Sequence, residues 1–201
     1  MSPLTSDERK ALLNIARLSI EKAAEKGTFA GFGIEPGPTP LQRPSGVFVT
    51  LRRSKQLRGC IGQLDATMPL PMAVAFAASS AALEDPRFQR VQPEEVPELT
   101  IEISVLTPFQ EIAPEKIVPG THGLVIQHGV CRGLLLPQVA TEHGLSRERF
   151  LEETCAKAGL PRDAWRDPTT HIYAFTAEVF SEEEEIKEKN KNGANKMSAP
   201  R

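Results

Sequence analysis

The hexapeptide LRGCIG, residues 57–62, brings a thiol and a fixed positive charge close together in the sequence. Arg58 and Cys60 are two positions apart, so in a regular strand both side chains project from one face, with Cβ atoms about 7 Å apart. A neighbouring guanidinium lowers the pKa of a thiol and raises the fraction of the nucleophilic thiolate. Gly59 and Gly62 carry no side chains, so another backbone or a ligand can approach. The pattern predicts an accessible thiol in an electropositive setting.

A structural interpretation of Cys60 competes with this one. Free cysteine is among the most buried residue types, and a cysteine in a strand is often a small core residue. In that case the sulfur only packs, and Arg58 holds an anionic ligand without help from the thiol. The two hypotheses predict different effects of substitution. Cys60→Ser should abolish activity if Cys60 is a thiolate nucleophile, whereas Arg58→Ala should abolish binding if the site only holds an anion.

Further residues are candidates for the same site. His122, in a loop, and His128, at a hairpin tip, are candidate proton acceptors because imidazole titrates near neutral pH, although a lone loop histidine is more often a turn or surface residue. Glu102 lies on the polar face of a predicted strand and is either solvent-exposed or a ligand contact. Asp85 is either a turn residue or a ligand-binding carboxylate that pairs with Arg87.

Several kinds of site are excluded or disfavoured by their motifs. The sequence has no Cys-x-x-Cys, His-Glu-x-x-His or Gly-x-Ser-x-Gly motif, and no glycine loop for phosphates or dinucleotides. Cys60, His122 and His128 match no established metal-site spacing, so no metal is predicted, and a cofactor cannot be named. The basic residues between Arg52 and Arg58 lack interleaved aromatics, which favours a solvated hairpin tip over a nucleic-acid interface.

Composition places the chain among soluble globular proteins. It has 201 residues, 40% of them apolar, a formal charge of -2 and a pI near 6.1, so it has no general attraction for nucleic acid or anionic lipid. An odd number of cysteines and an N-terminus without a signal-peptide pattern favour a reducing, cytoplasmic location. No run of about 18 apolar residues is present, so no membrane span is predicted.

Periodicity predicts the elements that would position these residues. A 3.6-residue apolar repeat is typical of helices, and strict alternation is typical of strands. The segment Gly31–Pro44, rich in proline and glycine, is expected to be an irregular loop. The predicted elements are a helix over Thr5–Lys26, a hairpin over Val47–Leu64 turning at Ser54–Lys55, a helix over Met68–Leu83, a strand over Leu99–Leu106, a hairpin over Gly123–Leu136 turning at His128–Gly129, a helix over Arg147–Ala158 and a strand over His171–Phe180.

The two predicted hairpins resemble each other. Each places an Arg-Gly pair early in its second strand, Arg58-Gly59 in one and Arg132-Gly133 in the other, and each leads into a helix. This similarity favours a duplicated hairpin-and-helix unit, although short aligned stretches also arise by chance. Leu134 stands in the second copy where the first has Cys60. The Arg-Gly pair would then be shared scaffold, and the cysteine would be specific to the first copy.

Several ungapped motifs appear in one order: LRGCIG, EDPRF, LTIEISVLTP, THGLVI with RGLLLPQVA, and FLEETCAKAGL. In this order they closely resemble the AMMECR domain family, the protein A component of the AmmeMemoRadiSam system, over about residues 8–182. The resemblance implies an α+β fold in which two β-hairpin/helix repeats surround a shared barrel-like antiparallel sheet. It also implies a cleft between two subdomains, with the hexapeptide at that cleft.

The domain organisation follows from the same resemblance. Residues 1–182 are expected to form one AMMECR-like domain of two intimately packed subdomains, with repeat halves near 46–90 and 120–160. Residues 183–201 are expected to be a disordered charged tail.

The resemblance associates related domains with Memo-like and radical S-adenosylmethionine proteins, but it implies no reaction. The sequence therefore predicts a ligand-binding, potentially catalytic cleft around LRGCIG that takes a small anion or a peptide. The alternative is a non-catalytic module that interacts with those two kinds of partner. Whether the protein is an enzyme stays open.

Overall fold

The computed structural model describes residues 3–29 and 39–184, so most of the predicted loop at Gly31–Pro44 and the tail from residue 185 lie outside the described residues. The chain divides into two compact units. The first comprises the residues up to Val105 and from Glu178 onward, and the second comprises Leu106–Ala177. Among the helices of the described ranges, none has the length and apolar character needed to cross a bilayer.

The fold is α+β, as predicted, and it contains two four-stranded antiparallel sheets. The first sheet has the strand order β2-β1-β3-β8, and the second has the order β4-β7-β5-β6. The elements in chain order are α1 (Ser6–Lys26), β1 (Val47–Arg53), β2 (Gln56–Gln63), α2 (Leu70–Leu83), β3 (Leu99–Leu106), β4 (Gln110–Glu111), β5 (Gly123–His128), β6 (Cys131–Leu135), α3 (Pro137–Glu142), α4 (Arg147–Lys157), β7 (His171–Phe175) and β8 (Ala177–Ser181).

Local sequence signals account for the ends of the first helix. A capping box is present, since Glu8 N–H donates to Thr5 Oγ1 at 3.3 Å and Thr5 N–H donates to Glu8 Oε2 at 2.7 Å. Gly27, at φ 67°, ends α1 in the left-handed conformation. The alanine-rich α2 begins after Pro69 and is buried over most of its surface, because it packs against α1, β1 and β2.

A single shared barrel-like sheet is not found among residues 3–29 and 39–184, and this corrects the expectation from the resemblance. The apolar face of β1 and β3 is buried with α1 and α2, while the apolar face of β5 and β7 is buried with α4. A sheet whose apolar face is already covered by helices has no need to close on itself. The predicted cleft and the two repeat halves stay predictions.

Two strand predictions differ from the structure in detail. The last predicted strand is interrupted at Thr176, whose N–H donates to Thr107 Oγ1 at 2.8 Å and whose carbonyl accepts from Thr107 N–H at 2.9 Å. The second hairpin turns at Gly129 and Val130 rather than at His128–Gly129. Gly129 has a φ of 58°, the left-handed value that a glycine-first two-residue turn requires. The first hairpin turns at Ser54–Lys55, as predicted.

Candidate functional site

Arg58 occupies a β-bulge on the edge strand β2. Leu51 pairs with Gly59 and Arg52 pairs with Leu57, so Arg58 is the extra residue without a partner on β1. A bulge interrupts the two-residue alternation of side chains. Regular alternation therefore does not by itself place Arg58 on the same face as Cys60, and their shared face stays a prediction.

The Arg58 guanidinium is committed to other protein groups. Its Nε and Nη2 donate to the two Glu95 carboxylate oxygens at 3.1 and 3.0 Å, and its Nη1 donates to the Gln89 carbonyl at 2.9 Å. This pairing lowers the pKa of Glu95. The Arg58 side chain is only 16% exposed. It ties β2 to the segment that connects α2 and β3, and its charge is compensated by Glu95.

The two glycines of the hexapeptide are explained by close packing. A Cβ atom at Gly59 would lie 2.2 Å from the Ala81 carbonyl oxygen of α2, and one at Gly62 would lie 2.5 Å from the Phe48 ring. Contacts this short cannot exist, so β2 approaches α2 only because residue 59 is glycine. The sequence predicted that the glycines admit either another backbone or a ligand, and the structure shows the approach of protein atoms.

Cys60 lies in a row of polar residues that crosses three strands. Cys60 pairs with Thr50 on β1, and Thr50 pairs with Glu102 on β3. The Thr50 hydroxyl donates to Cys60 Sγ at 3.3 Å. Thr50 is 8% exposed, whereas Cys60 and Glu102 are half-buried. The row therefore presents a sulfur, a hydroxyl and a carboxylate on one face of the first sheet.

Asp85 holds the backbone of Cys60. The Cys60 N–H donates to Asp85 Oδ2 at 2.8 Å. Arg87 binds the same carboxylate in a bidentate manner, with Nη2 at 2.7 Å from Oδ2 and Nε at 2.9 Å from Oδ1. These bonds, above all those from Arg87, lower the pKa of Asp85 to about 2. Asp85 is therefore an ionised, buried carboxylate paired with Arg87. It is also a turn residue, since its Oδ1 accepts from the Arg87 backbone N–H and its carbonyl accepts from the Phe88 N–H, each at 3.1 Å, so both predicted alternatives hold.

Arg87 brings a guanidinium close to the Cys60 backbone. One Asp85 oxygen accepts from both the Cys60 amide and the Arg87 guanidinium, so the two donors flank a single atom. The Asp85 carboxylate raises the pKa of Arg87. The Arg87 side chain is 55% exposed, although two of its nitrogens are bound. It can therefore meet a ligand from solvent.

Comparison with known proteins identifies the family. The profile of the AMMECR1 family matches residues 13–180. The chain belongs to the AMMECR1 family. A protein of Methanothermobacter thermautotrophicus is 44% identical and covers 90% of this chain and 98% of its own length, and one of Thermococcus kodakarensis is 48% identical and covers 86% and 89%.

A crystal structure supports the same assignment to the AMMECR1 family. An uncharacterized protein from Pyrococcus horikoshii is 45% identical, with a TM-score of 0.78, and the match covers 86% of this chain and 90% of that one. Membership of the AMMECR1 family confirms the resemblance stated from the motifs.

His122 lies in the second unit of this AMMECR1 protein and stabilises a turn. The imidazole Nδ1 of His122 accepts from the Val118 backbone N–H at 3.2 Å, and the backbone N–H of His122 donates to the Val118 carbonyl at 3.0 Å. A neutral imidazole whose Nδ1 accepts carries its proton on Nε2 and has no lone pair free there. All four histidines of the chain fall between residues 122 and 171, in the second unit. The unit that contains Cys60 has none.

Sequence analysis missed the role of Thr50 for a definable reason. A turn at Ser54–Lys55 with regular pairing would place Thr50 opposite Gly59, and the bulge at Arg58 moves it opposite Cys60. The link from Arg87 to Cys60 was also missed, although its pairing with Asp85 was considered. No group of three or more metal-ligating side chains occurs in the described ranges 3–29 and 39–184.

Proposed function

We propose that the polar face of the first sheet is a binding site for a small anionic ligand, with the Cys60 thiol as its candidate nucleophile. The observation that carries the proposal is the shared Asp85 oxygen, which fixes the Cys60 backbone and the Arg87 guanidinium next to each other. An anion paired with the exposed guanidinium would lie beside the sulfur. Arg87 thus takes the role that the sequence suggested for Arg58.

The other predicted site residues are treated separately in this proposal. Asp85, with a pKa of about 2, stays ionised at neutral pH and orients Cys60 and Arg87 rather than accepting a proton. Glu102, on the same face, is the proposed carboxylate contact for the ligand. His122 lies in the second unit and has no role in this site, and its predicted action as a proton acceptor would require its bond from Val118 to break. Gly59 and Gly62 shape β2, and the ligand does not contact them.

Paired alkylation tests the site directly. Iodoacetate is a small anion and iodoacetamide is its neutral analogue, and both react with the thiolate. The ratio of their rates at Cys60, read by peptide mass spectrometry, therefore reports the local charge and not the thiolate fraction. We expect Arg87→Gln to lower this ratio about fivefold, because a neighbouring cation is lost. Arg149→Gln, in the second unit, is the matched control and should leave the ratio unchanged.

Two results would contradict the proposal. If Cys60 reacts with neither reagent until the protein unfolds, the sulfur is a packing residue. If the ratio at Cys60 equals that at Cys131 and does not change in Arg87→Gln, the site has no preference for anions. Retained binding of a later-identified anion in Arg87→Gln would also exclude Arg87 as its contact.

A protein-interaction module is the second candidate function, and one observation favours it. Phe29, Met72 and Phe76 expose large apolar side chains, and the rings of Phe29 and Phe76 are in contact with centroids 5.6 Å apart. Adjacent exposed apolar residues are typical of interaction surfaces. The partners proposed from the family association are Memo-like and radical S-adenosylmethionine proteins.

Co-elution with each purified partner tests this second function. Phe76→Ser should abolish co-elution, whereas Val130→Ser, at the exposed tip of the second hairpin, should not. Co-elution that survives Phe76→Ser, or that never occurs, argues against this surface.

A further inference from the structure

We propose that a cavity in the second unit binds a proline-containing peptide segment of a partner protein. Trp165 is its hydrogen-bond donor, and an acidic rim selects a basic residue next to the prolines. All residues that line the cavity belong to the unit Leu106–Ala177, so this site is independent of the one proposed around Cys60. Four features of the cavity carry the proposal.

The first feature is the size and lining of the cavity. It has a volume of about 430 Å³, which is within the range of natural ligand pockets. Its apolar wall combines Pro114, the buried Leu151 of α4 and the half-buried indole of Trp165. The other lining residues are Glu115, Ser146, Arg147 and Glu148. Aromatic and aliphatic side chains of this kind are typical of grooves that bind proline-rich segments.

The second feature is a buried donor without an acceptor. The indole Nε1 of Trp165 is buried and has no hydrogen-bond partner within residues 3–29 and 39–184. Buried polar groups are nearly always paired, because an unpaired donor loses its bonds to water without compensation. Arg166 stacks on the indole, with its guanidinium carbon 4.6 Å from the ring centroid, and offers a donor rather than an acceptor. Since Trp165 lines the cavity, an occupant of the cavity can supply the missing acceptor.

The third feature is an excess of donors at the start of α4. Ser146 Oγ accepts from the Arg149 N–H at 3.3 Å, and the N–H groups of the two residues between them have no acceptor within the helix. The Arg147 Nε donates to the Ile117 carbonyl at 2.8 Å, which leaves the two terminal nitrogens of this exposed side chain as further donors.

A proline segment complements such a set of donors. Its carbonyl groups accept hydrogen bonds, whereas its ring nitrogens have no hydrogen to donate and need no acceptor from the protein. Its extended polyproline conformation also exists before binding, so little conformational entropy is lost. An ordinary peptide would bring an N–H group for each carbonyl, and the cavity has few acceptors to pair with them.

The fourth feature is the charge of the rim. Glu115 and Glu148 are both exposed, and Arg147 is the one cation among the described residues that line the cavity. Two carboxylates against one guanidinium favour an arginine or lysine beside the prolines. The same imbalance disfavours a carboxylate ligand, which the donors alone would accept equally well. The hydrogen bonds and the charges therefore agree on a basic proline-containing segment.

The test uses the fact that Trp165 is the single tryptophan of the chain and gives one indole signal in a proton–nitrogen correlation spectrum. The labelled full-length protein is titrated with the acetylated and amidated peptide PPAPPR, and with AAAAAR as the control without prolines. We expect PPAPPR, and not AAAAAR, to shift the indole proton downfield, as a newly accepted hydrogen bond does. PPAPPE should bind about fivefold more weakly than PPAPPR because of the acidic rim.

Substitutions locate the peptide at this cavity. Glu115→Gln and Glu148→Gln should each weaken the binding of PPAPPR about threefold, because each removes one exposed charge. Glu142→Gln is the matched control, since Glu142 is an exposed residue of α3 that does not line the cavity, and it should leave the affinity unchanged. Trp165→Phe keeps an aromatic ring without the donor, and calorimetric titration should show a loss of about fivefold. A thermal melt shows whether each variant is folded.

Several results would overturn the proposal. They are an unchanged indole signal with PPAPPR at about 1 mM, an equal shift with AAAAAR, equal affinity for PPAPPE, and unchanged affinity in both glutamate variants. A shift with benzoate but not with PPAPPR would identify a carboxylate site and would also exclude the peptide. None of these results affects the alkylation of Cys60, so the two proposed sites can fail separately.

Discussion

The two hairpins share a scaffold and differ at the positions that could do chemistry. In the first, a Cβ atom at Gly59 would lie 2.2 Å from the Ala81 carbonyl oxygen of α2, and in the second, a Cβ atom at Gly133 would lie 2.3 Å from the Ala158 nitrogen at the end of α4. Each Arg-Gly pair thus lets a strand approach the backbone of its helix. This common geometry supports the proposed duplication of a hairpin-and-helix unit.

The rows of side chains next to these glycines are different. In the first sheet the row is Cys60, Thr50 and Glu102, whereas the corresponding row of the second sheet is Leu134, Val125 and Tyr173. An aliphatic pair therefore stands where the first sheet has its thiol and hydroxyl. The features that the two hairpins share belong to packing, and the candidate site lies where they differ.

The chain that follows each helix differs in the same way. After α2, Asp85 accepts from the Cys60 N–H of the edge strand. After α4, the position 74 residues later is Gly159, at φ 74°, which has no side chain to offer. A carboxylate at an edge strand occupies a backbone donor that another chain could otherwise pair with. In the first unit this protection also orients the thiol.

The largest expected effect is a loss of stability when the glycine that both hairpins share is replaced. Gly59→Ala and Gly133→Ala should each destabilise the protein by about 3 kcal/mol, because the new Cβ atom meets backbone atoms that cannot move aside. Urea unfolding followed by circular dichroism measures the loss. Gly129→Ala is the control, since its site is open and only its left-handed φ is unfavourable, which costs about 1 kcal/mol. A tolerated alanine at residue 59 or 133 would show that the shared glycines are not a packing requirement.

Asp85→Asn tests a feature that is specific to the first unit, and its expected effect on the free energy of unfolding depends on pH. Its pKa is lowered from 3.8 to about 2 in the folded protein. A lowered carboxyl pKa stabilises the fold above the unfolded value, so about 2 kcal/mol is present above pH 4 and is lost as the pH falls toward 2. The difference in unfolding free energy between the unmodified chain and Asp85→Asn should therefore shrink over this range. A difference independent of pH would contradict the ion pair with Arg87.

Substitutions of Arg58 and Arg87 distinguish an arginine that stabilises the fold of the first unit from one that contributes to the proposed site. Arg58→Lys loses the bidentate bond to Glu95 and should destabilise the protein by about 1.5 kcal/mol. Arg58→Gln, which also removes the charge, should leave the iodoacetate-to-iodoacetamide ratio at Cys60 unchanged, because the Arg58 charge is paired with Glu95; a changed ratio in Arg58→Gln would restore Arg58 as the cation of the site. Arg87→Gln should change the ratio, and it should also destabilise the protein by about 2 kcal/mol, because it leaves the buried Asp85 carboxylate without its main partner.

Local signals in the sequence were sufficient for most elements of the fold. The strand Leu99–Leu106 has the bounds that its alternation predicts, and α1 begins at its capping box at Thr5. The site was harder to predict from the sequence, because it depends on one irregularity in a strand and on one long-range contact. The bulge at Arg58 changes which residue faces Cys60, and Asp85 reaches Cys60 only because α2 returns the chain alongside β2. Periodicity carries neither piece of information.

The smallest effect concerns the turns, which have two residues in each hairpin but differ in backbone geometry. Ser54 and Lys55 both have positive φ, 51° and 67°, in a two-residue turn of the kind that favours Asn-Gly, whereas the second hairpin already uses Gly129 at φ 58°. Lys55→Gly should stabilise the protein by about 0.5–1 kcal/mol, because relief of the left-handed side chain exceeds the entropy that glycine adds to the unfolded chain. Urea unfolding measures the gain, with Lys116→Gly as a control outside any turn of this kind. Destabilisation by Lys55→Gly would mean that the Lys55 side chain supports the hairpin.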